Sequence, residues 1–283
     1  MDSTRSQSAS LALVPPRPRD RLKLTAFPHH PFDQIHGVDT SGLVPAKHLV
    51  TGHANDQHVT AYYGVAPSIL RSLIHQWRET IPPHPISSYT FIDIGAGKGR
   101  GLLVASEYHF RKVIGIELNP ALAGVARANV AHWTAARASD PTAAPLAPIE
   151  VLEQDALDYI FPATPTLLFL FHPFEAPVLR KLLRNIETQL GAPLVASSSS
   201  RVRSKAPPAL DLIYVNAECA NVLDRNPAFA QLFLDDVKMT PEDHAADLEA
   251  IARQREYGST GDEECAIYRY AGRTKGPIFK PAA

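Results

Sequence analysis

An acidic residue followed by glycines at every second position stands about a third of the way along the chain, where residues 93–101 read D-I-G-A-G-K-G-R-G. An apolar run precedes Asp93 and an apolar helical pattern begins at Leu102, so the stretch predicts a turn between a strand and a helix. Glycine has no side chain and tolerates positive φ, so such a turn lets a ligand approach the backbone closely. The N–H groups where the helix begins could then hold an anionic part of that ligand.

The spacing of the glycines decides which ligand is expected. The dinucleotide fingerprint is G-x-G-x-x-G. Counted from Gly95 or from Gly97, its third glycine falls on Arg100 or on Leu102, so both registers fail. An NAD-dependent oxidoreductase is therefore disfavoured. The chain instead has D-I-G-A-G-K-G, an acid followed by G-x-G-x-G.

Glu117, Asp155 and His172 each end or follow an apolar run that predicts another strand. In an open parallel sheet, ligands lie at the carboxyl ends of the strands, so we expect these residues to meet at the glycine turn. Glu117 follows Asp93 by 24 residues, a separation at which a carboxylate can accept from both hydroxyls of a bound ribose. Asp155 could accept from the exocyclic amine of adenine. Taken singly, each acid could equally be a solvated strand end.

Three segments together resemble a known family. The stretches F-I-D-I-G-A-G-K-G-R, V-I-G-I-E-L-N-P and E-Q-D-A look like the first three motifs of the class I S-adenosylmethionine-dependent methyltransferases. The resemblance covers residues 86–270. It implies an α/β fold with a Rossmann-like sheet of seven strands, mostly parallel with the last antiparallel, and helices on both faces. It also implies S-adenosylmethionine as the cofactor. The segment F-D-Q-I-H-G-V-D-T-S-G further resembles a bacterial branch of the family that has no assigned substrate.

The predicted cofactor site draws on the ends of four strands. Leu118, Gln154 and Ala156 could flank the adenine ring, while Lys98 and Arg100 could either meet the carboxylate of the methionine part or be solvated. The complete predicted set is Asp93, Gly95, Ala96, Gly97, Gly99, Glu117, Leu118, Gln154, Asp155, Ala156 and Phe171.

The fourth motif departs from the family. Amino-directed members often carry N-P-P-[YF], in which the Asn side chain and a backbone carbonyl accept from the target amine. This chain has F-H-P-F, so nitrogen specificity is not predicted. Phe174 could pack on a planar or alkyl substrate. If methyl transfer needs a base, His172 is the candidate, because histidine titrates near neutrality. The alternative is a hydrogen-bonded histidine with no proton to move.

The sequence around these residues predicts the elements that position them. The βαβ order predicts a parallel sheet with right-handed crossovers. Strands are expected over residues 89–94, 113–116, 149–152, 167–171, 194–197, 212–215 and 265–270, and helices over residues 65–77, 99–108, 119–133, 179–190 and 227–234.

The length of 283 residues suits one α/β domain with appendages. The expected divisions are a disordered tail over 1–30, an N-terminal cap segment and helix over 31–85, the S-adenosylmethionine-binding domain over 86–272 and a C-terminal tail over 273–283. Residues 31–42 are expected to form a structured loop. Tyr62 and Tyr63 could close over a bound cofactor or serve as ordinary packing aromatics.

Composition excludes several classes of protein. The net charge of -1 gives no argument for nucleic acid or an anionic membrane, although the basic loop at residues 201–205 could steer such a substrate. The two cysteines and the early histidines lack the spacing of a metal site, so no metal is expected. The apolar patch at residues 11–14 is too short for the core of a secretory signal, so none is expected. No apolar run approaches the roughly 20 residues that span a bilayer. We expect a soluble, cytoplasmic protein with no membrane partner.

The leading hypothesis is a methyltransferase acting on an N or O atom of a small molecule or protein side chain, with an unknown methyl acceptor as its partner. A non-catalytic cofactor-binding module and a nucleic-acid methyltransferase are the alternatives. The sequence does not predict the oligomeric state.

Overall fold

The computed structural model describes residues 30–191, 209–252 and 261–272. Its centre is one sheet of seven strands, β1 Thr90–Ile94, β2 Lys112–Glu117, β3 Ile149–Glu153, β4 Thr166–Phe171, β5 Leu210–Val215, β6 Phe229–Lys238 and β7 Asp262–Tyr270. The strand order is β3-β2-β1-β4-β5-β7-β6. The first five strands are parallel, and β7 runs antiparallel to both β5 and β6.

Seven α-helices accompany the sheet in the part of the chain that the structure describes. They are α1 Pro31–His36, α2 Pro67–Glu79, α3 Arg100–Ser106, α4 Pro120–Ala138, α5 Ala176–Gly191, α6 Ala220–Asp224 and α7 Pro241–Ala252. None of these helices is both long enough and apolar enough to cross a bilayer.

The helices cover both faces of the sheet. Residues of α2, α3 and α4 share one apolar core with Phe91 and Leu167, whereas residues of α5 and α6 share a second core with Ile92 and Leu168. The central strands β1, β4 and β5 are buried along almost their whole length, which explains their continuous apolar sequences. The prediction of a mostly parallel, seven-stranded α/β sheet is confirmed.

The structure corrects two predicted elements, and a third lies outside the described residues. The predicted helix at residues 227–234 is wrong, because β6 occupies residues 229–238 as an edge strand paired with β7. A register shift between Gln231 and Phe233 breaks the regular alternation of side chains between the two faces of the strand. The spacing of the apolar residues is then similar to that of a helix. Residues 31–42 are not all loop, since they begin with α1. The predicted strand at residues 194–197 lies outside the described residues.

Residues 31–63, the cap segment, lie across the carboxyl edge of the sheet. Val44 and Tyr62 form an antiparallel bridge within the segment, and Val59 forms another with Phe174. The main chain also joins the two parts, because Thr60 N donates to Pro173 O over 3.4 Å and Glu175 N donates to His58 O over 3.0 Å. The cap segment is therefore bound to the turn that follows β4.

Candidate functional site

A cavity lies between the carboxyl ends of β1 to β4 and the cap segment. It encloses about 930 Å³, including open solvent at its mouth. The predicted cofactor residues that line it are Asp93, Gly95, Ala96, Gly97, Glu117, Leu118, Gln154, Asp155, Ala156 and Phe171; Phe174 lines it as well. Gly99 and His172 are not part of the wall.

The glycine turn connects β1 to α3 and forms the floor of the cavity. Gly95, Gly97 and Gly99 all have positive φ, as a glycine-rich turn permits. Their N–H groups are used within the protein. Gly95 N donates to Ile116 O over 2.8 Å and Gly97 N to the Glu117 carboxylate over 2.7 Å, while Gly99 N donates to Ala96 O over 2.8 Å. These three N–H groups are therefore not available to an anion in this conformation.

Two glycines of the turn also have close protein neighbours. A Cβ atom on Gly97 would lie 2.1 Å from Cε2 of Tyr62, and one on Gly95 would lie 2.5 Å from Cβ of Pro173. The cap segment and the turn after β4 therefore require glycine here on steric grounds. Tyr62 and Tyr63 both line the cavity, so the cap segment contributes aromatic rings to its wall.

Asp93 and Glu117 are buried carboxyl groups at neighbouring strand ends. Asp93 is 4% exposed, and burial together with the nearby Glu117 raises its pKa to about 8. No other described residue forms a hydrogen bond with its carboxylate. Glu117 accepts from Asn119 N at 2.8 Å and from Gly97 N at 2.7 Å. Burial raises the Glu117 pKa more than these N–H groups lower it.

Asp155 follows β3 and is partly engaged by the cap segment. One carboxylate oxygen accepts from Leu157 N over 2.8 Å, and the other accepts from Asn55 Nδ2 over 2.9 Å. His53 Nε2 lies 3.5 Å from the second oxygen. The predicted adenine acceptor is thus held in place by residues that precede it by about 100 positions.

His172 and Phe174 have different surroundings. The φ angle of His172 is 37°, and its ring lies away from the cavity wall, with Nδ1 3.0 Å from the Tyr214 hydroxyl and Nε2 3.5 Å from the Glu218 carboxylate. Its carbonyl accepts from the Thr60 hydroxyl. The ring is thus engaged by neighbouring side chains, and the role of His172 as a base stays a prediction. Phe174, by contrast, is buried and lines the cavity.

Lys98 and Arg100 are neither solvated nor available to a ligand carboxylate, contrary to both expectations. Lys98 is fully buried, and its Nζ donates to Asp39 over 2.9 Å and to Ser41 O over 2.6 Å. Arg100 is 3% exposed. Its acceptors all belong to residues 40–41 and 64–65. These two cations of the turn fasten the cap segment to it.

Sequence reasoning missed the residues by which the cap segment reaches the site. Thr60 and Asn55 have no local motif, because their partners lie 112 and 100 residues away. Asp33 was more accessible to sequence analysis, since it belongs to the polar segment F-D-Q-I-H-G-V-D-T-S-G. It accepts from Thr40 N and from the Ser41 hydroxyl, each over 2.7 Å, and thereby shapes the segment that meets Arg100.

Several solved structures match this chain. Magnesium protoporphyrin IX methyltransferase from Synechocystis, solved with bound S-adenosylmethionine, is 10% identical with a TM-score of 0.41, over 72% of this chain and 79% of that one. The 23S rRNA methyltransferase ErmE is 14% identical with a TM-score of 0.41, over 75% and 71%. The YcgJ protein from Bacillus subtilis is 12% identical with a TM-score of 0.40, over 72% and 98%.

No protein family and no curated protein matches the sequence. The fold is established by the order and directions of the seven strands. Among the described residues, no group of three or more His, Cys, Asp or Glu side chains is arranged to hold a metal ion.

Proposed function

We propose that the protein is an S-adenosylmethionine-dependent methyltransferase. The observation that carries the proposal is the convergence of Asp93, Glu117 and Asp155, which follow or end three adjacent parallel strands, on one cavity floored by a glycine turn. Ligands of open parallel sheets bind at this edge. Three carboxylates at this edge suit a ligand that offers hydroxyl, amino and ammonium donors to them.

The residues of the cavity fit the parts of this cofactor. Glu117 would accept from the ribose hydroxyls, and Asp155 would accept from the adenine amine, with Leu118 and Ala156 beside the ring. Asp93 is buried without a hydrogen-bonding partner among the described residues, and a cationic group would compensate the cost of its charge. It therefore suits the ammonium of the methionine part.

The chain's own contribution to the reaction is positioning. When bound, the cofactor supplies a methyl group that is activated for displacement. Holding two reactants in line can lower a barrier by about 7–11 kcal/mol without any acid or base. Phe171 and Phe174 provide an apolar wall for the acceptor, and residues of the cap segment complete the wall of the cavity. The acceptor is an N or O atom of a small molecule or of a protein side chain.

Calorimetric titration with S-adenosylhomocysteine tests the cofactor site. We expect micromolar binding by the intact protein and at least a tenfold loss in Glu117→Gln, because an amide cannot accept at both positions from the ribose and the Gly97 and Asn119 N–H groups. Glu150→Gln is the matched control, since Glu150 pairs with Lys112 on the surface. Absence of binding by the folded protein would overturn the proposal.

Catalysis needs its own measurement. The protein is incubated with S-adenosylmethionine and small-molecule or protein fractions of a cell extract, and S-adenosylhomocysteine is quantified. Formation that depends on one fraction and is lost in Glu117→Gln supports an enzyme. Binding without product formation in any fraction would favour the non-catalytic module.

A further inference from the structure

We infer that the methyl acceptor is an amine, because the wall where β1 and β4 end presents hydrogen-bond acceptors and no free positive charge among the described residues. This inference rests on the proposed function. We call this part of the cavity the β1–β4 end, and its members used below are Thr60, Tyr63, Asp93, Phe171 and Phe174.

Thr60 and Tyr63 of the cap segment line the cavity, and the hydroxyl group of each already donates a hydrogen bond within the protein. The Thr60 hydroxyl donates to the carbonyl of His172, which can only accept, so the direction of this bond is fixed. The Tyr63 hydroxyl donates to Asp247, and burial beside this acid raises the pKa of Tyr63, which keeps the proton on the phenol. Each oxygen can therefore only accept from a ligand.

The cations nearest to this end are fully occupied. Arg100 lines the cavity, but its Nε donates to Thr40 and each of its two terminal nitrogens donates to two further acceptors of the cap segment and its flank. A guanidinium has five N–H donors, so none remains. Lys98 is buried, and its ammonium group donates to the Asp39 carboxylate and to Ser41 O. A carboxylate or phosphate group would find no cationic partner on these side chains.

Acidic side chains lie within the wall and behind it. Asp93 is buried without a hydrogen-bonding partner among the described residues. Behind Tyr63, Asp247 lies close enough to Glu263 to contribute to raising the Glu263 pKa to about 7, with burial as the larger cause. A cationic donor favours the charged form of these carboxyl groups and is stabilised by it, whereas an anion gains no such partner.

Phe171 and Phe174 supply the apolar part of the same wall, which suits an alkyl or aromatic substituent on the nitrogen. In the reaction, an ammonium first loses a proton to solvent. The nitrogen lone pair then forms a bond to the methyl carbon as the bond from that carbon to sulfur breaks, and its electron pair stays on sulfur. A second proton leaves the methylated nitrogen for solvent.

The test compares two ligands by calorimetry at pH 7. S-adenosylhomocysteine lacks the methyl group, and sinefungin replaces the sulfonium and its methyl by a carbon that bears a primary ammonium. The ammonium thus probes the β1–β4 end, while the adenosine and amino acid parts are shared. We expect sinefungin to bind at least tenfold more tightly than S-adenosylhomocysteine.

Three variants assign the preference to particular oxygens. Thr60→Val and Tyr63→Phe each keep the shape of the side chain and remove its oxygen, so we expect the ratio of the two affinities to fall at least threefold in each. Thr80→Val is the matched control, because the Thr80 hydroxyl also donates to a carbonyl, that of Trp77, far from the cavity.

The outcomes separate this inference from the proposed function. If neither ligand binds to the folded protein, both fail. Equal affinity for the two ligands overturns the amine inference and leaves the cofactor site intact. A preference for sinefungin that neither Thr60→Val nor Tyr63→Phe reduces overturns the assignment to the β1–β4 end.

Discussion

The two ends of the cavity are built in different ways. The β2–β3 end, with Glu117, Gln154 and Asp155, comes from residues that end or closely follow their own strands, so the sheet brings them together. The β1–β4 end depends on Thr60 and Tyr63, which lie before the first strand and reach the site through the cap segment. In the proposed function, cofactor recognition thus depends mainly on the sheet, whereas the acceptor side also needs the cap segment.

The strongest test of this comparison is a substitution at Gly97, where the cap segment packs on the glycine turn. In Gly97→Ala, the new Cβ would lie 2.1 Å from the Tyr62 ring, and the residue would keep a φ of 54° that alanine disfavours. We expect a loss of about 2–4 kcal/mol in the free energy of unfolding. We also expect at least a hundredfold loss of S-adenosylhomocysteine affinity.

Urea denaturation and calorimetry measure both effects. Gly124→Ala is the control, since Gly124 lies inside α4 with open space around its Cβ position, and it should stay within about 1 kcal/mol of the parent. Unchanged affinity in Gly97→Ala would mean that Tyr62 does not need to stay on the turn for cofactor binding.

A second experiment tests whether the carboxyl group of Asp93, at the end of β1, is buried without a compensating charge. The pKa of Asp93 is raised to about 8 in the fold, so the native state binds more protons than the unfolded chain between about pH 4 and 8. Its contribution to stability is favourable only at low pH and is lost as the pH rises towards 8. Asp93→Asn should therefore gain stability relative to the parent between pH 5 and pH 8.5.

Denaturation of both proteins at these two pH values provides the measurement, and the difference between them removes the contributions of groups that do not interact with Asp93. A difference that does not change with pH would show that Asp93 titrates at its ordinary value.

Removing Lys98 tests how firmly the cap segment is fastened. In Lys98→Met the apolar stem is kept, while the bonds to Asp39 and to Ser41 O are lost. Because Asp39 is 38% exposed and can be rehydrated, we expect a loss of only about 1–3 kcal/mol in the free energy of unfolding. Lys112→Met, whose pair with Glu150 is exposed, should change it by less than about 0.5 kcal/mol. Equal effects of the two substitutions would contradict the fastening role.

The smallest effect is expected at His172. Its ring contacts Tyr214 outside the cavity wall, so His172→Asn should change S-adenosylhomocysteine affinity less than about twofold, and asparagine tolerates the positive φ of this position. Once an acceptor is known, the pH profile of turnover decides whether this residue moves a proton. A loss of the acidic limb in His172→Asn would restore it as a base.

The sheet could be predicted from sequence because each central strand is buried on both faces and is therefore a continuous apolar run. The positions of Glu117 and Asp155 at the edge of the sheet were predictable for the same reason, since a strand end marks them. The edge strand β6 was not, because its register shift disturbs the alternation that identifies a strand.

The cap segment was beyond sequence reasoning in its essential contacts. Its bonds from Asn55 to Asp155 and from Thr60 to His172 join residues that share no local pattern. The predictions for the Lys98 and Arg100 side chains were wrong for a related reason. A cation in a glycine turn is expected to face a ligand or solvent, and only the folded cap segment supplies the acceptors that bury it.

The long separation between the cap segment and its anchors has a consequence for biosynthesis. A ribosome releases the cap segment first, and its anchoring residues emerge only 100 to 112 residues later. Until then Asn55 and Thr60 lack these partners, although Lys98 and Arg100, which also fasten the segment, have already emerged. Closing such distant contacts is slow. The cavity is therefore incomplete until β4 and the turn after it have left the ribosome. We expect ligand binding only after that point in translation.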